Sequence, residues 1–145
     1  MVVDSVIFLS RMADLTTPGV SDLLTKPNHA VLSTINADGS VHSAVIWVNA
    51  EGDKVAFNGA QGRVWPANIE RDARVTLVVI NQENPYEYVY VQGSVAGDTT
   101  DGADEHIDKL AKKYMDVDEY PFRKDGETRL IVTIAPDKIV LNSPS

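Results

Sequence analysis

Cysteine is absent from this 145-residue sequence, and basic residues are scarce. There are 13 Lys and Arg residues against 21 Asp and Glu, which gives a formal net charge of -8. Without cysteine the chain has no disulfide, no thiolate nucleophile and no cysteine ligand for a metal, and we expect a cytoplasmic location. A negative chain repels the backbone of nucleic acids, so we expect no nucleic-acid partner. An anionic ligand would need a local cluster of positive charge.

Long hydrophobic runs are also lacking. The short apolar run at residues 6–9 has no basic residue before it and no small-residue cleavage site after it. It therefore predicts neither a signal peptide nor a membrane span, and we expect no membrane partner. We predict a loose N-terminal extension at residues 1–15, in which Met12 offers a second start, and one domain at residues 16–145.

The usual catalytic constellations are missing from the sequence. His29, His42 and His106 are scattered, with no H-E-x-x-H spacing, and no serine sits in a G-x-S-x-G turn. The segment DEHID, residues 104–108, is interpreted as the solvated face of a helix. We therefore predict no metal site and no triad, and the catalytic residues stay unknown.

Residue periodicity predicts a mostly-β (α+β) domain, most simply a barrel. Strand-like segments occupy residues 30–35, 41–48, 54–59, 74–80, 86–97, 129–135 and 138–141. Thr17 and Pro18 predict the start of a short helix that Pro27 ends. The short turns between the first three strands require antiparallel neighbours.

The segment TDGADEHIDKLAKKYM predicts an amphipathic helix over one end of the sheet. Its apolar face is formed by Ile107, Leu110, Ala111 and Tyr114. Its solvent face is formed by Asp104, Glu105, Asp108, Lys112 and Lys113.

Two strands leave questions open at this stage. The segment 41–48 is apolar on both faces, which predicts burial on both sides and a second subunit over the outer face. In the segment 86–97, Tyr86, Tyr88, Tyr90 and Gln92 share one face. Aromatic residues are common in strands, but such a face also suits a ring-binding cleft or a subunit contact.

The segment NGAQGRVWPANIERDARV, residues 58–75, combines a glycine-rich turn, Arg63 and a helix predicted at 64–71. A helix start offers unpaired N–H groups and a positive dipole end, and the arginine fork matches phosphate oxygens. Arg71 and Arg74 extend the local positive charge. A plain surface turn explains the same spacing equally well.

The order of these motifs decides between the two readings. AVLSTINADGSVHSAVIWV, FNGAQGRVWPANIERDARVTLVV, NPYEYVYVQGSV, GADEHIDKLAKKYM and YPF together resemble the pyridoxamine-phosphate-oxidase-like split β-barrel family. The likeness covers about residues 23–141 and is closer to the branch that uses the deazaflavin coenzyme F-420. It implies a six-stranded antiparallel split β-barrel with a few short helices, a homodimer, and a cofactor in the groove between subunits.

The resemblance also implies the activity. The expected function is an oxidoreductase that transfers hydride from reduced coenzyme F-420 to a small organic acceptor. An FMN-binding flavoprotein and a non-catalytic deazaflavin carrier are the alternatives.

The resemblance implies the site as well. Arg63 is expected to contact the cofactor phosphate with help from Asn68, and Tyr86 and Tyr88 are expected to come from the partner subunit. Trp65 stands where many relatives have a basic residue, and its indole can donate one hydrogen bond but no charge. The full expected set is Val45, Ile46, Trp47, Asn58, Gly59, Ala60, Gly62, Arg63, Val64, Trp65, Asn68, Tyr86 and Tyr88.

Overall fold

A computed structural model describes residues 8–144, so the part of the predicted extension at residues 1–7 lies outside the described residues. The strands are β1 Phe8–Ala13, β2 Ala30–Ile35, β3 Val41–Ile46, β4 Val48–Glu51, β5 Lys54–Ala60, β6 Arg74–Ile80, β7 Tyr88–Thr99 and β8 Arg129–Pro144. The helices are α1 Pro18–Thr25, α2 Val64–Arg71 and α3 Ala103–Met115.

The strands form one curled antiparallel sheet in the order β3-β2-β6-β7-β8-β5-β4, with β1 also paired to β8. The outer strands β3 and β4 are neighbours in sequence, joined through Trp47. The bend at Trp47 therefore brings the two ends of the strand order together. Within residues 8–144 the fold is mostly β, with three helices packed on the sheet.

The expected six strands are wrong, because the sheet has eight. The bend at Trp47 divides the predicted strand 41–48 into β3 and β4. The two predicted C-terminal strands are one continuous strand, β8, which follows β7 along its length. Residues 8–13 of the predicted loose extension pair with β8 from Ala13↔Ile139 to Phe8↔Pro144.

Helices α1 and α2 begin where the sequence predicts. Thr17 is the N-cap of α1, Pro18 follows it, and the helix ends at Thr25, before Pro27. The apolar side of α1 buries Val20, Leu23 and Leu24 against the sheet. Helix α2 spans Val64–Arg71, which confirms the predicted range.

The solvent face predicted for α3 is partly wrong. His106 is buried together with Ala103, Ile107, Leu110 and Ala111, because positions 103, 106, 107, 110 and 111 follow one helical stripe. Lys113 turns back into the fold, and its Nζ donates to the carbonyls of Leu24, at 2.5 Å, and Val48, at 2.6 Å. Hydrogen bonding to these two carbonyls therefore directs Lys113 into the fold, although its helical spacing predicts a solvent-facing position.

Tyr114 anchors the end of α3 beside the bend at Trp47. Its hydroxyl donates to the Asn28 carbonyl at 2.7 Å and accepts from the Val48 N–H at 3.1 Å. Burial raises the pKa of the Tyr114 phenol to about 12, against the lowering effect of the Val48 hydrogen bond. Burial also lowers the pKa of the Lys113 ammonium to about 8. Helix α3 thereby fixes the wall that Trp47 presents to the neighbouring cavity.

The edge strand β3 exposes one apolar face in the isolated chain. Val41 and Val45 are both exposed, whereas Ile46 is buried. The predicted burial on both sides is therefore absent in one chain, and the cover expected from a second subunit stays a prediction. None of the helices in residues 8–144 has the length and apolarity needed to cross a membrane.

Candidate cofactor-binding cavity

A cavity of about 190 Å³ opens where the bend at Trp47, strand β5, the start of α2 and the loop after α3 meet. It is lined by Val45, Ile46, Trp47, Asn58, Gly59, Arg63, Trp65, Ile107, Leu110, Tyr120, Phe122 and Arg129. The first seven of these belong to the site expected from the sequence. Two larger cavities, of about 540 Å³ each, lie beside β1 and beside α3, and neither contains a residue of that expected set.

The start of α2 places Arg63 at this cavity. Gly62 has a φ of +90°, which glycine adopts without strain and which turns the chain from β5 into the helix. Arg63 is the N-cap, and its side chain is 49% exposed. The first turn of α2 also presents backbone N–H groups that have no acceptor within the helix. Arg63 and this helix start are suited to an anion.

Trp65 forms part of the cavity wall but belongs mainly to the core. The centres of the Trp65 and Phe57 rings lie 5.2 Å apart in an edge-on arrangement, and both side chains are buried. A Cβ placed on Gly59 would lie 2.2 Å from the Trp65 ring. Gly59 is therefore required for the close packing of Trp65 on β5. The position at which the family resemblance implies a basic residue is here used for core packing.

Glu127 joins two arginines at the edge of the cavity. Its Oε1 atom accepts from Nη1 of Arg129 at 2.7 Å, and its Oε2 atom lies 3.4 Å from Nη2 of Arg63. The Glu127 side chain is only 6% exposed, and that of Arg129 is buried. Two guanidinium groups and one carboxylate leave a local charge of about +1 at neutral pH. This is the local positive charge that an anionic ligand needs in an acidic chain.

Asn58 holds Arg129 from the other side. Nε of Arg129 donates to Oδ1 of Asn58 at 2.9 Å, and Nδ2 of Asn58 donates to the Ala103 carbonyl at 2.9 Å. The guanidinium also lies 5.0 Å from the centre of the Tyr120 ring, a cation–π distance. Arg129 is thus fixed by a carboxylate, an amide and an aromatic ring, which preorganises its charge at the cavity.

His106 extends this network beyond the cavity. Its Nδ1 atom lies 3.1 Å from Nδ2 of Asn58, and its Nε2 atom lies 2.7 Å from Oδ1 of Asn49. Burial lowers the pKa of His106, with a smaller contribution from Lys109, while Glu51 acts in the opposite direction. The histidine therefore favours its neutral form in the fold.

Aromatic side chains form the remaining wall. Trp47 stacks on Tyr114 with ring centres 5.3 Å apart, and meets the Tyr120 ring edge-on at 6.0 Å. Phe122 lies edge-on to Tyr120 at 5.7 Å. Arg123 fixes the loop that carries these rings by pairing with Asp104 and Asp108 of α3, at 2.8 and 2.7 Å. The rings of Trp47, Tyr120 and Phe122 form a flat apolar surface next to the cavity opening, where Arg63 supplies positive charge.

The other residues of the expected set lie outside the cavity lining. Ala60 is buried beside Gly59, Val64 is exposed at the start of α2, and Gly62 forms the preceding turn. Tyr86 is exposed before β7 and Tyr88 begins β7. Their expected contact with a cofactor across a subunit boundary stays a prediction.

Asn68 does not line the cavity, and its expected help in binding the cofactor phosphate stays a prediction. It is buried on α2, and its Nδ2 atom donates to Oγ1 of Thr34 and to Oδ1 of Asn36, at 3.0 and 2.8 Å. Its Oδ1 atom accepts from Nη2 of Arg71 at 2.6 Å. In this structure Asn68 ties α2 to β2. Arg71 is engaged there and Arg74 pairs with Asp72, so neither lines the cavity.

Several cavity residues were missed by the sequence interpretation. They are Ile107, Leu110, Tyr120, Phe122 and Arg129 in the lining, and Glu127, which pairs with Arg129. The motif YPF was a usable signal for the two aromatic rings, since it places apolar rings in an otherwise polar loop. Nothing in the sequence pairs Glu127 and Arg129 with Asn58. In residues 8–144, no three His, Asp or Glu side chains are grouped so as to hold a metal ion.

The residues present fit a ligand that has a flat aromatic part and an anionic part. Trp47, Tyr120 and the edge of β5 suit an aromatic ring, and Arg63 at the start of α2 suits a phosphate. This combination is what a flavin or deazaflavin phosphate requires. Hydrophobic lining with a few convergent polar groups is typical of cofactor sites.

Comparison with solved structures relates this fold to a specific set of proteins. An F420 reductase is 27% identical, superposes with a TM-score of 0.74, and is matched over 82% of this chain and 94% of its own. A conserved hypothetical protein of Mycobacterium tuberculosis is 14% identical, with a TM-score of 0.66 over 96% and 88% of the two chains. General stress protein 26 of Bacillus anthracis is 18% identical, with a TM-score of 0.64 over 88% and 93%. The last two show the fold alone.

The sequence itself places the chain in a family. No curated protein sequence matches it. The family described as pyridoxamine 5'-phosphate oxidase matches residues 16–142, which is nearly the whole described chain. With the curled antiparallel sheet and a cavity suited to a phosphorylated ring cofactor, the chain belongs to the pyridoxamine 5'-phosphate oxidase family.

Proposed function

We propose that the chain is a coenzyme F-420-dependent reductase that acts on a small organic acceptor. The observation that carries the proposal is the likeness to an F420 reductase at 27% identity and a TM-score of 0.74. That likeness extends over 82% of this chain and 94% of the reductase chain, so it does not rest on one motif alone. When bound, the deazaflavin supplies the hydride chemistry, and the protein supplies binding and orientation.

Arg63 holds the phosphate in this proposal. Its half-exposed guanidinium has donors beyond the one near Glu127, and the N-terminus of α2 adds a favourable dipole. Arg129 is held in place by Glu127 and Asn58 and keeps positive charge beside the ring. The site therefore offers two positive groups with different tasks, one at the mouth and one in the wall.

In this proposal Trp47 and Tyr120 form the wall against which the deazaflavin ring lies. Tyr114 stacks behind Trp47 and is itself fixed by the hydrogen bond that its hydroxyl donates to the Asn28 carbonyl and the one that it accepts from the Val48 N–H. This second layer keeps the indole from rotating away. A rigid aromatic wall excludes water from one face of the ring and leaves the other for the acceptor.

We also propose that the working site is completed by a second copy of the chain. The cavity of about 190 Å³ is smaller than the roughly 300–1,000 Å³ usual for such ligands. Its lining includes exposed apolar side chains, with Val45 at 68% and Phe122 at 58%, and Val64 at the nearby start of α2 is 53% exposed. A homodimer would cover these side chains, and Tyr86 and Tyr88 would approach from the partner, as the family resemblance implies.

The direct test is oxidation of reduced F-420 in the presence of a panel of small acceptors with activated C=C bonds, nitro groups or quinones. A reductase accelerates oxidation with at least one of them, and Arg63→Ala reduces that acceleration. Tight binding of reduced F-420 with no acceleration by any acceptor would instead favour a deazaflavin carrier. Sedimentation equilibrium tests the dimer, and a monomer at all concentrations would contradict that part.

A further inference from the structure

Glu127 is a buried carboxylate placed between the two arginines of the cavity. One of its oxygens lies 2.7 Å from Arg129 Nη1, and the other lies 3.4 Å from Arg63 Nη2. Arg129 is already fixed by Asn58 and Tyr120, so Glu127 is not required as its only partner. Its second oxygen is instead directed to Arg63, the guanidinium that has free donors at the mouth.

This placement gives Glu127 influence over any anion on Arg63. Such an anion lies within a few ångströms of the carboxylate, in a region where Glu127 is shielded from water. At that distance and burial, salt screens the repulsion weakly. Arg63, Glu127 and Arg129 together carry a net charge of about +1. That charge balances a monoanion bound to Arg63, but it leaves the second negative charge of a dianion unbalanced.

Phosphate groups differ in this respect. A phosphodiester carries one negative charge at neutral pH, whereas a phosphomonoester, with a second pKa near 6, carries close to two. We propose that Glu127 makes the anion site at Arg63 selective for a phosphodiester monoanion over a phosphomonoester dianion. The inference rests on the proposed function only in placing the cofactor phosphate at Arg63.

The charge rule bears on the choice of cofactor. Coenzyme F-420 joins its ring portion to its tail through a phosphodiester, whereas FMN ends in a phosphomonoester. Arg63 can bind either phosphate group, whereas the negative charge of Glu127 disfavours the phosphomonoester of FMN. Glu127 thus acts as the specificity-determining residue, while Arg63 supplies affinity without discrimination.

The test uses two probes, FMN and its methyl phosphodiester, which share the ring and the ribityl chain and differ by one negative charge and one methyl group. Their dissociation constants are measured for the wild type, Glu127→Gln, and the control Glu83→Gln, which removes an equal charge from the exposed loop before β7. The wild type is expected to favour the diester, and Glu127→Gln should shift the affinity ratio toward FMN by roughly tenfold or more. The control ratio should equal that of the wild type.

A double variant, Glu127→Gln with Arg129→Gln, separates charge from folding. It removes the buried pair as a unit and returns the local charge to that of Arg63 alone, so the ratio should return toward the wild-type value. The inference is overturned by a ratio that Glu127→Gln leaves unchanged, by a double variant that behaves like the single one, or by a wild type that binds neither probe.

The outcomes for the proposed function are distinct. If F-420 neither binds nor is oxidised while the two FMN probes show the charge-dependent ratio, the proposed function fails and the role of Glu127 stands. If F-420 is used but the ratio ignores Glu127, the proposed function stands and this inference fails.

Discussion

Nδ2 of Asn58 and Nδ1 of His106 lie 3.1 Å apart, and this contact determines which histidine nitrogen carries the proton. Arginine only donates hydrogen bonds, so the Asn58 atom facing Arg129 Nε must be the oxygen. The amide nitrogen of Asn58 therefore faces His106, whose Nδ1 atom accepts. The proton is on Nε2, which donates to Oδ1 of Asn49. The neutral tautomer is thus fixed by the arginine of the cavity.

His106 is predicted to make stability depend on pH below about 6.5. Burial lowers its pKa from the usual 6.5, so in this range the unfolded chain binds more protons than the folded one. The unfolding free energy therefore falls as the pH drops through the lower folded pKa, and the contribution is fully present above 6.5. Urea denaturation at pH 8, 6 and 5 should show a smaller loss for His106→Gln than for the wild type. The exposed His29→Gln serves as the control, and equal losses in all three proteins would contradict this account.

Arg63→Ala is predicted to weaken binding of the phosphorylated cofactor at least tenfold. Loss of a charge-assisted hydrogen bond costs about 1.5–3 kcal/mol. The melting temperature should change little, because the Arg63 side chain is half exposed and its contact with Glu127 is long. Arg74→Ala is the matched control, since Arg74 is exposed and pairs with Asp72 away from the cavity. Unchanged affinity in Arg63→Ala would move the phosphate site elsewhere.

Gly59→Ala is predicted to destabilise the fold by about 1–3 kcal/mol through overpacking. The added methyl group would lie 2.2 Å from the buried Trp65 ring, which the core holds against Phe57. Gly97→Ala is the comparison, because its nearest contact would be 3.9 Å away. Denaturant unfolding of both variants checks the difference. A Gly59→Ala protein as stable as Gly97→Ala would show that Trp65 moves without cost.

Lys113 is predicted to make stability rise with pH between about 8 and 10. Burial lowers its pKa to about 8 from the usual value near 10.5, so over this range the unfolded chain binds more protons. The gain is complete above the unfolded pKa and is lost as the pH falls through 8. Unfolding free energies at pH 8 and 10 should show this increment in the wild type and in Lys109→Met, but not in Lys113→Met. An identical increment in Lys113→Met would contradict the assignment.

Much of this fold follows from local sequence signals. The sequence predicts helix α2 with its observed bounds, because the preceding glycine turn and Pro66 mark its start locally. The burial of His106 could also have been predicted from the sequence, because positions 103, 106, 107, 110 and 111 form one helical stripe. The residues next to His106 in the sequence are polar, so the segment was interpreted as solvent-exposed instead. The break at Trp47 was not marked by glycine or proline, and it is fixed by tertiary contacts with Tyr114 and Tyr120.

The charged part of the cavity could not be predicted in the same way. Asn58 and Arg129 are 71 residues apart in sequence and meet because β5 pairs with β8 in one register, Asn58↔Ile131. Glu127 and Arg63 are 64 residues apart and belong to different loops. Such pairs depend on register and loop path, which a single sequence does not encode locally. The sequence identified one arginine, and the structure adds the second and the carboxylate between them.

The most direct test of the account is a paired titration of the purified protein with coenzyme F-420 and FMN, followed by thermal unfolding. A ligand that binds only the folded state adds about 2.7 kcal/mol of stability at one hundred times its dissociation constant. We expect F-420 to stabilise the protein at lower concentrations than FMN, and Arg63→Ala should require at least tenfold more F-420 for the same stabilisation. Preferential stabilisation by FMN, or none by either ligand, would contradict the assignment of this cavity to the deazaflavin.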